Sequence, residues 1–210
     1  VDMVKAWIAD VTSLLEKECY ERYYRKVPDF RKKKADVLRL DQMKAQSVGV
    51  WALWQKIQTE YHLPENAAFN FSHSGNYVMC AACMDGENIQ VGCDIEKTGE
   101  LKMKLARRYF CREEYDTIAA AETDDEKTDL FFRYWVLKES FMKATGRGMA
   151  LPVNSFCIRM GEPPDLIRQP AEFAQKYYYR EYRIEGLAYK MAVCSTDKDI
   201  DTELHTELTL

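Results

Sequence analysis

Asp129-Leu-Phe-Phe-Arg-Tyr-Trp-Val-Leu-Lys-Glu-Ser-Phe-Met-Lys-Ala-Thr-Gly-Arg-Gly148 is a stretch whose pattern asks for two surroundings at once. At about 100° per residue, Leu130, Tyr134, Leu137 and Phe141 fall on one stripe, the spacing of a core-facing helix. Trp135, Glu139 and Lys143 fall roughly opposite. A helix buried on one side carries solvated charge on the other, so an indole in line with a carboxylate and an ammonium points to a second contact surface. The plain alternative is a surface Glu-to-Lys pair at i, i+4, worth roughly 0.2–0.5 kcal/mol. Gly146 and Gly148 stop the helix.

The chain around this helix has 210 residues, enough for one large domain or two of about 100 residues each. Hydrophobic residues make up 47% and charged ones 30%, so a buried core is expected and extended disorder is not. A net charge of −4 excludes a wholesale nucleic-acid-binding surface and leaves room for a local anion site. Seven scattered cysteines are an odd number and make no disulfide framework, which points to a reducing compartment. Cys80 and Cys83 sit in a strand-like run where an odd separation sends them to opposite faces, and they read as buried structural thiols. With no apolar run near the ~18 residues of a membrane span and no evident leader, a cytoplasmic protein is expected.

From the N-terminal end, Val4, Ala6 and Ile8 alternate with Lys5 and Trp7, a short strand signal. Ser13-Leu-Leu-Glu16 has the form of a capping box ahead of a helix reaching about Tyr24. Pro28 introduces the basic run Arg31-Lys32-Lys33-Lys34, either the local anion site or a solvated face. Val48, Trp51, Trp54, Ile57 and Tyr61 recur every three or four residues, a long amphipathic helix over residues 41–61. A strand over 67–71, a polar turn at Ser72-His73-Ser74-Gly75, a strand over 77–84, a hairpin at Asp85-Gly86 and a strand over 89–96 then read as one antiparallel sheet. The second half repeats the plan, with helices over 101–110 and 112–121 and strands over 155–160, 176–184 and 187–195. The polar residues after Thr196 read as a loosely attached tail. Together these segments predict an α+β protein of two similar-sized halves, residues 1–92 and 93–210.

Asp94 and Glu96, two apart on a strand, point to the same face, while Val91, Cys93 and Ile95 form the apolar one and Gly92 permits close backbone approach. Like charges that close repel unless solvent or a cation separates them. With Glu139 as a third carboxylate they make an oxygen set suited to Mg²⁺ and a phosphate substrate. Ser72 and His73 at the strand break are able to donate hydrogen bonds to a phosphate. No Walker-type or dinucleotide-type glycine loop is present.

Val91-Gly-Cys-Asp-Ile-Glu96 together with Trp135-Val-Leu-Lys-Glu-Ser-Phe-Met-Lys143 resembles the paired signature of the 4′-phosphopantetheinyl transferases of the surfactin-synthetase-activating type. Asn70-Phe-Ser-His-Ser-Gly75 is similar to their third motif, and the likeness extends from Phe69 through Tyr189-Lys-Met-Ala-Val-Cys194. The resemblance implies that the two halves form a pseudo-dimer, with coenzyme A bound in the cleft of a monomer. It implies that Asp94, Glu96 and Glu139 hold Mg²⁺ against the pyrophosphate and that Glu139 activates a carrier-protein serine. Lys143 would grip a phosphate and stabilise or protonate the 3′,5′-ADP leaving group. Ser72 and His73, with Arg31 or Lys33, would bind the 3′-phosphate, and Gln46 stands where the family has a residue that touches it. The implied partner is an apo acyl or peptidyl carrier protein docking near residues 107–115, with no nucleic acid and no membrane involved.

Three departures from the family pattern stand out. Cys93 replaces a β-branched residue, the segment Lys44-Ala45-Gln46 lacks the usual arginine register, and Leu63-Pro64-Glu65-Asn66 stands in place of Gly-Lys-Pro. The altered adenine side leaves a degenerate protein that binds coenzyme A or a carrier without transfer as one alternative, and a metal-dependent phosphohydrolase acting on coenzyme A as another.

Overall fold

A computed structural model describes residues 3–86 and 88–210. The strands are β1 (Val4–Asp10), β2 (Phe69–Ser74), β3 (Tyr77–Cys83), β4 (Val91–Lys97), β5 (Cys157–Arg159), β6 (Asp165–Arg168), β7 (Tyr178–Tyr182), β8 (Tyr189–Ser195) and β9 (Ile200–His205). The helices are α1 (Lys17–Tyr24), α2 (Asp29–Asp36), α3 (Asp41–Glu60), α4 (Met103–Tyr109), α5 (Arg112–Ala119) and α6 (Asp124–Ala144). One sheet runs β2-β3-β1-β9, a second runs β4-β8-β7, and β5 with β6 makes a separate ribbon.

Strands apolar on both faces dictate the layering. Trp7 and Ala9 of β1 look into a core shared with Val48, Leu53, Trp54 and Ile57 of α3, while Val4, Ala6 and Ile8 look the other way. That second face meets Val91, Cys93 and Ile95 of β4 and Met191 and Val193 of β8. Beyond the second sheet, Tyr134, Leu137 and Phe141 of α6 pack with Phe156, Tyr177 and Tyr179. The order is therefore helix, sheet, sheet, helix. Cys80 and Cys83 divide between two of these cores, as their odd separation predicts.

The plan occurs twice. β2-β3-β1 under α3 corresponds strand for strand to β7-β8-β4 under α6. This is the α+β architecture in two similar halves, and each half places one long helix across a three-stranded unit. A boundary between residues 92 and 93 falls within β4, and β9 returns to the first sheet, so the strands do not respect that division.

Helix α6 starts five residues before the quoted stretch, at a capping box: Thr123 Oγ1 accepts from the Glu126 amide at 3.2 Å and Glu126 Oε2 accepts from the Thr123 amide at 3.1 Å. Asp124, Asp125 and Glu126 in its first turn and Lys143 in its last complement the helix dipole. Gly146 follows at φ 73°, the left-handed conformation that favours glycine after a helix end.

Four local expectations are corrected. Ser13 caps nothing; residues Thr12–Leu15 form a 3₁₀ turn, and the Ser13 hydroxyl donates to the Leu210 carbonyl at 3.1 Å. β2 continues through Ser72, His73 and Ser74, with the Ser72 and Ser74 hydroxyls holding β4 amides, and the turn is at Gly75-Asn76. Asp85-Gly86 does not join paired strands, since β3 pairs with β1 and β4 crosses to the other sheet. The segment after Thr196 is not a loose tail: β9 runs parallel to β1 with Val4 opposite Ile200. Among the described residues no helix is long and apolar enough to cross a membrane.

At Gly92 the strand and α6 touch backbone to backbone. A Cβ there would lie 2.0 Å from the Ser140 carbonyl oxygen and 2.5 Å from the Ala144 amide nitrogen. Gly92→Ala should therefore force α6 off β4 and destabilise the protein by about 1–3 kcal/mol or more. Urea unfolding checks this, and a midpoint equal to wild type would refute the backbone contact.

Candidate active site

β2 and β4 meet edge to edge without a backbone ladder. Side chains from alternate residues of β2 take up the outward amides of β4 instead. The Cys93 amide donates to Asn70 Oδ1 at 3.0 Å, the Ile95 amide to Ser72 Oγ at 3.2 Å and the Lys97 amide to Ser74 Oγ at 2.9 Å. The period of two in a strand aims these three side chains the same way, and they satisfy amides that would otherwise be orphaned at a sheet edge. The same hydroxyls reach the carboxylates: Ser72 donates to Asp94 Oδ1 at 2.8 Å and Ser74 to Glu96 Oε2 at 3.3 Å.

Helix α6 covers this seam. Its Lys143 ammonium donates to Asp94 Oδ1 at 2.9 Å, to the Cys93 carbonyl at 3.0 Å and to the Phe71 carbonyl at 3.3 Å. One cation thus ties β2, β4 and α6 together. Asp94 is 3% exposed, and its other carboxylate oxygen, Oδ2, is buried with no hydrogen-bond partner.

The charges are held in tension. Burial pushes the Asp94 carboxyl up against the pull of Lys143. Burial and then the neighbouring Asp94 raise Glu96 to about 7. Glu139 is raised by burial and by Asp94. Burial pulls Lys143 down, but Asp94, Cys93 and Glu139 outweigh it and the ammonium is held above its usual range. Asp94, Glu96 and Glu139 do not all bring oxygens within 4.8 Å of one another; among the described residues the set of three ligand groups that does is Cys111, Glu113 and Cys157. An orphaned buried oxygen beside two further carboxylates nevertheless has the donor chemistry of a hard divalent cation.

The basic run divides. Arg31 lies half-buried, its guanidinium 5.0 Å over the Trp51 ring and 5.9 Å over Phe71, and its Nε is buried without a partner. His73 is exposed at the edge of this group; partial desolvation, then the cations Lys143, Lys34 and Arg31, hold its imidazole below the ordinary pKa. Lys34, one turn beyond Arg31, is close enough to bear on His73, and Lys33 and Lys34 are both exposed on α2. Gln46 is committed to the fold, donating to the Gly75 carbonyl at 2.8 Å beneath the β2–β3 turn.

Trp135 packs against the contacting rings of Phe110 and Phe131 and shares a cavity of about 240 Å³ with Glu96, Lys102, Leu105, Phe131 and Phe132. A larger cavity, about 710 Å³, lies elsewhere, between Asp10, Tyr77, Leu187 and Leu210, and none of the candidate residues lines it. Sequence reasoning assigned no role to Asn70 or Ser74, although the i, i+2, i+4 run of small acceptors along β2 was a usable signal. It also missed Lys138, next to Glu139, which is buried against Glu114 at 2.8 Å.

A family model described as the 4′-phosphopantetheinyl transferase superfamily matches residues 90–194. The 4′-phosphopantetheinyl transferase Sfp of Bacillus subtilis (strain 168) is 36% identical over 142 residues, 68% of this chain and 60% of the relative. The 4′-phosphopantetheinyl transferase ffp of Bacillus subtilis is 34% identical over 139 residues, 66% of this chain and 59% of the relative. The chain therefore spans only 60% and 59% of the lengths of these curated relatives. A solved holo-[acyl-carrier-protein] synthase (AcpS) of Thermotoga maritima is 18% identical with a TM-score of 0.44, over 52% of this chain and 63% of that one.

Glu96 sets a pH dependence. Its carboxyl is raised in the folded chain from an ordinary 4.5 to about 7, so the folded state holds this proton more tightly than the unfolded one. The stability it contributes is complete below about 4.5 and is lost as pH rises through about 7. For chelator-treated protein, Glu96→Gln should lessen the fall in urea midpoint between pH 5 and pH 8. An identical fall in both proteins would remove Glu96 as its source.

Proposed function

This chain belongs to the 4′-phosphopantetheinyl transferase superfamily, and on that membership we propose that it transfers the 4′-phosphopantetheine arm of coenzyme A to a serine of an apo carrier protein, releasing 3′,5′-ADP. The observation that carries the proposal is the buried, unpartnered Oδ2 of Asp94 next to Glu96 and Glu139. Burying a carboxylate oxygen without a partner costs stability. A site that accepts this cost at Asp94, with two half-buried carboxylates beside it, suits something that arrives with positive charge.

Asp94, Glu96 and Glu139 would hold Mg²⁺, which supplies charge neutralisation at the diphosphate when bound. The remaining work falls to side chains. Lys143 keeps its proton, since its neighbours hold its pKa up, and acts as a fixed positive charge beside the 5′-phosphate of the leaving 3′,5′-ADP. Glu139, its pKa raised by burial and by Asp94, takes the proton of the incoming serine hydroxyl at a carboxylate oxygen. The serine oxygen then bonds to the β-phosphorus as the bond to the 3′,5′-ADP oxygen breaks. Arg31, Lys34 and His73 form the basic rim for the 3′-phosphate, and the Trp135 and Phe132 cavity beside Glu96 offers an apolar wall to the pantetheine chain. The chain acts as a monomer in this reading, because its two halves already supply both sides of the seam. Seven free cysteines support a reducing, cytoplasmic setting.

Incubation with coenzyme A, Mg²⁺ and a panel of apo carrier proteins, followed by mass spectrometry, should show one phosphopantetheine added per carrier. Glu139→Gln should lower kcat/KM by roughly 10²–10³-fold or more. A carrier that gains no mass beside an active control enzyme would leave coenzyme A binding alone, and free 3′,5′-ADP without carrier modification would indicate hydrolysis. Arg31→Ala should act differently, raising KM for coenzyme A with little change in kcat, as expected for binding shared by ground and transition states. An unchanged KM would move the 3′-phosphate to Lys34 and His73.

A further inference from the structure

We propose that Cys111, Cys157 and Glu113 form a binding site for one thiophilic divalent cation of the zinc class, separate from the carboxylates of the transfer site. Cys111 stands at the N-terminal cap of α5, Glu113 lies in its first turn, and Cys157 comes from β5. Residues 46 positions apart thus bring two sulfurs and a carboxylate oxygen within 4.8 Å of one another. Tetrahedral coordination with metal–sulfur bonds of ~2.3 Å and metal–oxygen bonds of ~2.1 Å sets sulfurs roughly 3.8 Å apart and sulfur and oxygen about 3.6 Å apart. Cys157 Sγ and Glu113 Oε2 are already 3.8 Å apart.

The surroundings suit a loaded site. Two thiolates and a carboxylate around a divalent ion carry one net negative charge, and they are faced by Lys138, by Arg168 and by the Glu114 carboxylate that pairs with Lys138. The Lys138 ammonium is 4.0 Å from Cys111 Sγ, and Arg168 holds Glu113 through Oε1 at 3.0 Å and Oε2 at 3.4 Å. The oxygen nearer Cys157 is the one Arg168 holds less closely, so it can ligate while the other keeps the arginine. Such outer partners orient ligands and raise their affinity. Cys111 and Cys157 are buried and Glu113 is exposed, so the site opens to solvent on the carboxylate side and leaves a fourth position for water. Both thiols are protonated before binding, because burial raises them, Cys157 to about 12. Loading therefore exchanges two protons for one cation, and affinity rises with pH. A bound ion would clamp the β5–β6 ribbon to α5.

Chelator-stripped protein under a phosphine reductant should take up one Co²⁺ per chain with a thiolate-to-cobalt charge-transfer absorption that Zn²⁺ abolishes. Cys157→Ser should lose the absorption. Glu113→Gln, an exposed substitution, should weaken Co²⁺ binding by at least about 10-fold, the scale on which even outer partners act. Oxygen-only coordination at Asp94 gives no thiolate band, so this site and the transfer site fail independently. No band in the wild type at stoichiometric Co²⁺, or a band that persists in Cys157→Ser, overturns the proposal. If Cys157→Ser does not fold, Glu113→Gln decides alone, and unchanged affinity overturns it.

Discussion

The contact of α6 with β4 at Gly92 is the constraint on which the rest of the site depends. A strand and a helix normally keep side chains between their backbones; here the missing Cβ lets the Ser140 carbonyl and the Ala144 amide approach the strand itself. That approach sets the height of Glu139 and Lys143 above Asp94 and Glu96. The lateral position is set separately, by Asn70, Ser72 and Ser74 taking the β4 amides. One contact fixes the vertical coordinate and three hydrogen bonds fix the horizontal one. Lys143 then closes the corner by binding both strands.

Two neighbouring residues of α6 show how differently one helix can use charge. Lys138 is 1% exposed and fully paired: it donates to both Glu114 oxygens, at 2.8 and 3.0 Å, and to the Phe156 carbonyl at 2.8 Å, with the Phe156 ring 4.1 Å away. Glu114 is also satisfied, accepting from the Cys111 and Ile158 amides. Removing one partner of such a closed pair costs about 3–5 kcal/mol, because the other charge is left buried. Glu139, one residue on, belongs to a set with more negative charge than Lys143 can balance. The closed pair organises the C-terminal core; the open set keeps an unmet demand for a cation.

Much of this was legible from residue spacing. The two-faced pattern of residues 129–148, the shared face of Asp94 and Glu96 and the role of Gly92 all follow from helix and strand periods, which are local properties. Partner choice was not legible. Asp85-Gly86 has good hairpin chemistry, yet β3 and β4 separate: β3 is apolar on both faces and pairs with β1 and β2, while the one apolar face of β4 packs against that sheet from the second one. Ser72 and Ser74 read as turn residues because small polar side chains serve turns and strand edges equally well. Lys138 gave no signal, since a lysine is ordinarily solvated and its buried partner lies 24 positions away. The polar run after Thr196 concealed β9 for a related reason: it is an edge strand whose outer face needs no apolar pattern.

β9 has a consequence for how the chain is made. Lys5 of β1 and Asp201 of β9 are 196 positions apart, yet they pair at 2.8 Å. Synthesis proceeds from the N-terminal end, so β1, α3, β2 and β3 leave the ribosome long before the strand that covers β1. Until then the nascent sheet presents β1 as an open edge, a template for pairing with another nascent chain. The first half thus carries an unpaired strand edge during translation, and that edge is closed only when the second half has delivered its strand.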